Sequence, residues 1–180
     1  HSAVAFRRQI VGQKIKSVER RAKILFFNLS GGQTLAIHLK MTGQLVYKRQ
    51  GLPLGGLKGS PLIIGGHPED PTKYTRVIFN FVSGDKLYFN DLRKFGWLRL
   101  LTTARKQALT DKHGLEPLAL EFSLKNFTAQ LKRYPKRRLK QTLLDQTLIA
   151  GLGNIYVDES CFASAVRPMR RMETLRLAEI

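Results

Sequence analysis

The run Gly151-Leu152-Gly153-Asn154-Ile155-Tyr156 follows a cluster of cations, Lys132, Arg133, Lys136, Arg137, Arg138 and Lys140, and residues of these types in this order can hold an anion. Two glycines allow backbone angles that a Cβ resists, and asparagine is among the best caps for a following helix. A helix start presents unpaired N–H groups and the positive end of a dipole, which together favour a phosphate oxygen. The plain alternative is an ordinary turn beside a solvated basic face. A dinucleotide fingerprint is excluded, because the third glycine is missing and a helix, not a strand, is expected ahead of the turn.

Three further segments carry a mixture of cations and large apolar groups. Arg20-Arg21-Ala22-Lys23 leads into an apolar strand, where three cations could simply protect a sheet edge. In His38-Leu39-Lys40-Met41-Thr42-Gly43 the alternation carries Met41 along the apolar face up to the strand-ending glycine, and its plain reading is a cap on the core. Asn90-Asp91-Leu92-Arg93-Lys94-Phe95-Gly96-Trp97 places Arg93 and Phe95 on a loop between strands, a setting for surface packing or for function. Together they offer an apolar probe, an arginine and an aromatic wedge. An enzyme that acts on a base must take it out of the stack and fill the hole, and Met41, Arg93 and Phe95 suit that task.

The elements that must position these residues change character along the chain. Residues 14 to 101 read mainly as strands and turns: Lys23 to Leu29 is an apolar strand, Gly31-Gly32 a hairpin signal, and Leu35, Ile37, Leu39 and Met41 alternate with Ala36, His38 and Lys40 to give one apolar and one polar face. Residues 49 to 73, with Gly55-Gly56 and Gly65-Gly66, read as a long loop or irregular hairpin. Arg76 to Phe81 and Lys86 to Phe89 form a hairpin about Ser83-Gly84-Asp85, and Trp97 to Leu101 a further strand. From about residue 105 the pattern is helical. Leu115 to Leu120 is a connector, and Ser123 caps a helix from Leu124 to Leu131. Leu139, Leu143, Leu144 and Leu148 predict a helix ended by the glycines, followed by one with Ile155, Phe162 and Val166 on its inner face. Strands followed by helices imply α+β, with a cleft between two subdomains.

Composition narrows the partner. Of 180 residues, 43% are hydrophobic and 24% charged, ordinary for a globular protein, but 31 Lys and Arg against 13 Asp and Glu give a net charge of +18. That charge asks for a polyanion, nucleic acid first. A membrane is disfavoured: no apolar stretch is long enough to span one, and the cations do not follow one amphipathic helix. Cys161 is the single cysteine, which excludes an internal disulfide and a cysteine-rich zinc site within these residues and reads as a buried, inert thiol.

Five segments, Arg20-Arg21-Ala22-Lys23, His38 to Gly43, Asp91 to Gly96, Gly114-Leu115-Glu116-Pro117-Leu118 and Gly151 to Tyr156, stand in the same order as in the formamidopyrimidine-DNA glycosylase family (Fpg/MutM, related to Nei), which this chain resembles from about residue 10 to residue 168. The resemblance implies a bifunctional DNA repair enzyme that removes oxidised purines such as 8-oxoguanine and formamidopyrimidine, then nicks the abasic site by β,δ-elimination. On the same ground Lys23 is similar to a phosphate-contacting lysine that also donates a proton in β-elimination. Met41 and Arg93 resemble the void-fillers, Phe95 the wedge, and Asn154 the helix-two-turn-helix asparagine on the DNA backbone, with Lys140 the lysine ahead of that turn. Tyr74 falls where many members carry a DNA-contacting histidine, and the nearby lysine falls around Pro135 and Lys136, Lys136 being favoured. Glu159, on the inner side of the second helix, reads as structural.

The chain also departs from the pattern. Family members begin with Pro-Glu, the nucleophile and acid, whereas this chain begins His1-Ser2-Ala3; it ends at Ile180, before the family's four-cysteine zinc finger. The expectation is an internal fragment that holds no cofactor itself, zinc belonging to the full-length member, and that binds DNA without cutting it. The expected fold is α+β: a partial antiparallel β-sandwich, residues 1–105, followed by a helix-two-turn-helix domain, residues 106–180, incomplete at its C-terminal end. The expected partner is double-stranded DNA with oxidised bases or abasic sites, bound by a monomer in the bacterial cytoplasm at the nucleoid. The rival readings are a non-catalytic nucleic-acid binder, since the same helical unit occurs in an RNA-binding ribosomal protein, and a shortened paralogue that only recognises damage.

Overall fold

A computed structural model describes residues 2–51 and 71–180. Most of the loop expected over residues 49–73 lies outside the described residues. The chain is α+β, with two β-sheets and a helical C-terminal region. Helix α1 (Ala3–Ile10) comes first and has no counterpart in the sequence reading; Ser2 caps it, its hydroxyl accepting from the Ala5 N–H at 3.2 Å. Strands β1 (Ile15–Arg21), β2 (Ile24–Leu29) and β3 (Thr34–His38) follow, then β4 (Gly43–Lys48), β5 (Thr75–Asn80), β6 (Lys86–Asp91) and β7 (Trp97–Leu101). One sheet has the order β1-β2-β3-β7 and the other β4-β6-β5. The antiparallel pairing of β5 with β6 sets Phe79 opposite Leu87 and Val77 opposite Phe89, as the alternation around Ser83-Gly84-Asp85 requires.

Two strand expectations are corrected. β3 stops at His38, and its residues Thr34 to Ile37 are all buried, so it has two covered faces rather than one apolar and one polar. Met41 therefore does not close a strand face. It lies in the turn that leads to β4 and is 75% exposed, which rules out the reading as a core cap.

The helical region comprises α2 (Thr103–Thr110), α3 (Leu124–Lys132), α4 (Leu139–Leu144) and α5 (Asn154–Ala163), with short 3-10 turns at Met172–Thr174 and Leu177–Glu179. Ser123 caps α3 as expected, accepting from the Asn126 N–H. The glycines do not end α4: it stops earlier, at Asp145, whose backbone turns extended and whose carboxylate accepts from the Thr147 N–H at 3.0 Å and hydroxyl at 2.7 Å. The inner face of α5 also differs from expectation. Val157 and Cys161, one turn apart, are buried, whereas Ile155 and Phe162 are 76% and 85% exposed and Glu159 is exposed as well. Val166 is buried but lies past the end of the helix. Leu131, Leu139, Leu143, Val157, Cys161, Val166 and Met172 make one apolar core. Burial pushes the Cys161 thiol up, with Asp158 adding to the effect and Lys140 opposing it, which keeps the thiol protonated and inert.

The chain forms two compact units, residues 1–36 with 100–180, and residues 37–99. The division expected at residue 105 follows the change from strands to helices; the compact units instead join both chain ends and set the middle apart.

Candidate nucleic-acid interface

Each unit carries its own part of the candidate interface. In the first, the backbone of the glycine turn takes a conformation that its sequence dictates. Gly151 has φ +91°, in the region that side-chain-bearing residues resist, and its N–H donates to the Gln146 side chain at 3.0 Å. Gly153, not Asn154, is the N-cap of α5, with extended φ −123° and ψ 177°. The first intrahelical bond runs from the Val157 N–H to the Gly153 carbonyl at 3.0 Å, so the amides of Asn154, Ile155 and Tyr156 have no acceptor within the helix. This one-residue shift leaves the Asn154 side chain exposed instead of spending it on a cap.

Lys23 comes to this turn from the β1–β2 hairpin, 129 residues away: its Nζ donates to the Leu152 carbonyl at 2.5 Å, and a Cβ on Gly153 would be 3.5 Å from that Nζ. An ammonium beside three helix-start amides makes a strong local field for an anion. The hairpin is held by Glu116, whose carboxylate accepts from Arg20, from Arg21 at 2.7 Å and from the buried Ala22 N–H at 3.0 Å. Arg21 also donates to the His113 and Gly114 carbonyls at 2.9 and 2.6 Å. Burial alone would push the Glu116 carboxyl up, but the Ala22 N–H and the two guanidinium groups outweigh it and hold the carboxyl below its ordinary range. Arg20 and Arg21 are thus anchored cations, not merely protection for the edge strand β1.

Of the cations ahead of the turn, Lys136 is exposed, with no ion pair among the described residues. Arg137 pairs with Asp145 at 3.0 Å and stacks on Tyr134, its guanidinium 4.9 Å from the ring centre. Lys140 donates to both carboxylate oxygens of Asp158, at 2.7 and 2.8 Å.

In the second unit the structure brings Met41, Arg93 and Phe95 together. The Arg93 Nη1 lies 3.4 Å from the Met41 sulfur, and its guanidinium is 4.7 Å from the Phe95 ring centre. All three side chains are exposed, so the cluster is a projection and not a core. Asp91, 1% exposed, holds both loops that carry it: its carboxylate accepts from the Thr42 hydroxyl, the Gly96 N–H at 2.7 Å and the Arg93 N–H at 3.2 Å. Burial raises the Asp91 carboxyl, and the bonds from Thr42, Gly96, Arg93 and Lys94 more than reverse that, leaving it below its ordinary value. Each loop also contains a lysine in the left-handed region, Lys40 at φ 55° and Lys94 at φ 59°. Tyr74 lies in the turn before β5, half-buried, with the Lys73 ammonium 5.2 Å from its ring centre.

Sequence reasoning named every exposed member of these clusters and missed the residues that hold them: Glu116, Asp91, Thr42 and Asp158. Glu116 and Asp91 stood inside quoted motifs, where a lone carboxylate among cations and strand-ending glycines was the available signal. Cys161 is the single cysteine, and among the described residues no three His, Cys, Asp or Glu come together, so this chain's residues do not fit the zinc that the family resemblance implies. Among the described residues no helix is long and apolar enough to cross a membrane.

Antiparallel sheets are thus followed by a helix–glycine turn–helix with a lysine at the turn. The sequence model of the formamidopyrimidine-DNA glycosylase N-terminal domain matches residues 1–98 and that of the glycosylase H2TH domain matches residues 113–180. This chain belongs to the formamidopyrimidine-DNA glycosylase family. It is 41% identical over 177 residues to the formamidopyrimidine-DNA glycosylase of Pelotomaculum thermopropionicum, covering 97% of this chain and 58% of the relative, and 35% identical over 180 residues to that of Herpetosiphon aurantiacus, covering 100% and 59%. Among solved structures it is similar to the Lactococcus lactis Fpg in complex with abasic-site DNA, with TM-score 0.78, 28% identity and coverage of 98% of this chain and 60% of that one. It is likewise similar to the MutM (Fpg) protein of Thermus thermophilus, with TM-score 0.73, 36% identity and coverage of 93% and 55%. The chain therefore spans somewhat under three-fifths of the length of the relatives it matches.

Proposed function

We propose that the whole protein is a DNA glycosylase and abasic-site lyase that removes oxidised purines, 8-oxoguanine and formamidopyrimidine, and nicks the abasic site by β,δ-elimination. The observation that carries the proposal is the exposed cluster of Met41, Arg93 and Phe95, locked by Asp91. Met41 and Arg93 occupy the hole left by an extruded nucleotide, Phe95 wedges the neighbouring pair, and a loop fixed beforehand does this without the entropy of ordering on contact. Asn154, the amides of Asn154 to Tyr156 and the Lys23 ammonium hold backbone phosphate, with Lys136, Lys140 and Tyr74 as further contacts. By the family resemblance Lys23 also serves as proton donor in the elimination. The Lactococcus relatives were solved with DNA containing an abasic site or Fapy-dG, which supports a damaged duplex as the ligand. The zinc of the whole protein is not built from these residues, and the protein acts as a monomer at the bacterial nucleoid.

We propose further that these 180 residues by themselves bind DNA and do not cut it. Fluorescence anisotropy with a duplex carrying a tetrahydrofuran abasic analogue, against the same duplex undamaged, tests the binding. The expected result is preference for the abasic duplex, reduced by Phe95→Ala more than nonspecific binding is. Equal affinity for both duplexes would sink the base-extrusion reading and favour a general nucleic-acid binder. Borohydride trapping on an 8-oxoguanine duplex is expected to give no covalent adduct.

A further inference from the structure

Asp158 is an acidic residue on the candidate phosphate-binding helix of a chain with net charge +18, and DNA binding alone gives no reason for it. It is one helical turn after Asn154, so the two side chains share a face of α5. Both of its oxygens are bonded to the Lys140 ammonium, at 2.7 and 2.8 Å. The carboxylate thus draws a lysine of α4 to the Asn154 face of the next helix. The pair is open to solvent, with Lys140 and Asp158 side chains 30% and 49% exposed, so an incoming phosphate can reach it without unfolding anything. The Lys140 backbone does not depend on the pair, because its N–H donates to the Pro168 carbonyl at 2.9 Å.

We infer that Asp158 is a positioning residue that parks Lys140 beside Asn154 and competes with DNA phosphate for it. On DNA the ammonium exchanges a carboxylate for a phosphate. That exchange costs affinity, since an ion pair is broken and a carboxylate is left near the backbone, and the cost hastens release. Asp158 therefore trades tightness for turnover. The inference rests on the DNA reading above.

The test compares this chain with Asp158→Asn, Lys140→Met and the double variant on an undamaged 20-base-pair duplex, by anisotropy from 50 to 300 mM KCl. With the carboxylate gone, Lys140 engages phosphate fully. Affinity should rise about threefold to tenfold near 0.15 M salt, and the slope of log K against log salt should steepen by up to about 0.9, the value of one added phosphate contact. In the Lys140→Met background the same Asp158→Asn change should do little. Asp158→Ser repeats the comparison without an amide, and thermal melting checks that each variant is folded. Unchanged or weaker binding by Asp158→Asn overturns the inference. So does an equal gain in both backgrounds, which would mean bulk charge alone. If the unsubstituted chain fails to bind the duplex at 50 mM salt, the DNA reading itself falls, a result distinct from the other two.

Discussion

Replacing Glu116 by alanine should destabilise the first compact unit by an amount that can be worked out bond by bond. The carboxylate has three donors: Arg20, Arg21 and the Ala22 N–H. Arg20 is 44% exposed and returns to water at little cost. Arg21, 29% exposed, keeps its bonds to the His113 and Gly114 carbonyls and loses about 1 kcal/mol after allowance for screening. Ala22 is 4% exposed, and stripping its N–H of a charged acceptor costs about 2 kcal/mol. The sum is about 3 kcal/mol, and at about 2–4 °C per kcal/mol for a chain of this size the melting temperature should fall by about 6–12 °C. Glu116→Gln retains one acceptor for the Ala22 N–H and should lose roughly half as much. The folded carboxyl titrates below its ordinary value, 4.5, so its stabilisation is fully present above that pH and disappears as pH falls through the folded value. Far-UV circular dichroism melts at pH 7 and pH 3 test both statements, the difference between Glu116→Ala and the unsubstituted chain being smaller at the second than at the first. A difference under about 2 °C at pH 7, or one that persists unchanged at pH 3, would refute the account.

Three further substitutions separate anchoring from contact. Asp91→Asn places an amide where the Gly96 and Arg93 N–H groups need an acceptor and should cost about 2–3 kcal/mol in urea denaturation; a change below about 0.5 kcal/mol would show that the loops do not depend on it. Gly151→Ala brings its Cβ into ordinary contact with the Glu116 carboxylate, at 3.4 Å, but meets a φ of +91°, for a cost of about 1–2 kcal/mol, whereas Gly153→Ala has normal clearance from Lys23 and an extended backbone and should change the melting temperature little; the reverse order in thermal melts would contradict the assigned turn.

The sequence was most readable where a local rule decides the outcome. Alternation about Ser83-Gly84-Asp85 defines a hairpin, serine before an apolar period defines the start of α3, and motif order located the residues that project. It was least readable where a distant partner decides. β3 is covered on both faces, which alternation cannot express, and α4 ends early because Asp145 captures Thr147 rather than because glycine intervenes. The face of α5 was misassigned because Ile155 and Phe162 are apolar but exposed, while the smaller Val157 and Cys161 fill the core. For the glycine turn the residue types pointed to phosphate, and for Lys23 the family resemblance did, but only the fold shows the ammonium against the Leu152 carbonyl.

The sheet order β1-β2-β3-β7 also has a meaning for the chain as it is made. β3 ends at His38 and its neighbour β7 begins at Trp97, so some sixty residues leave the ribosome between them. At about 5–20 residues per second, the apolar strand Thr34–His38 waits several seconds with one row of hydrogen-bonding groups unsatisfied. An open edge of that kind is a template for pairing with another nascent chain. The basic strand β1 lies at the opposite border of the same sheet, so its charges cannot guard this one. Newly made protein should therefore be most prone to clump before residue 101 has emerged, and yield should respond to the speed at which the segment between the two strands is translated.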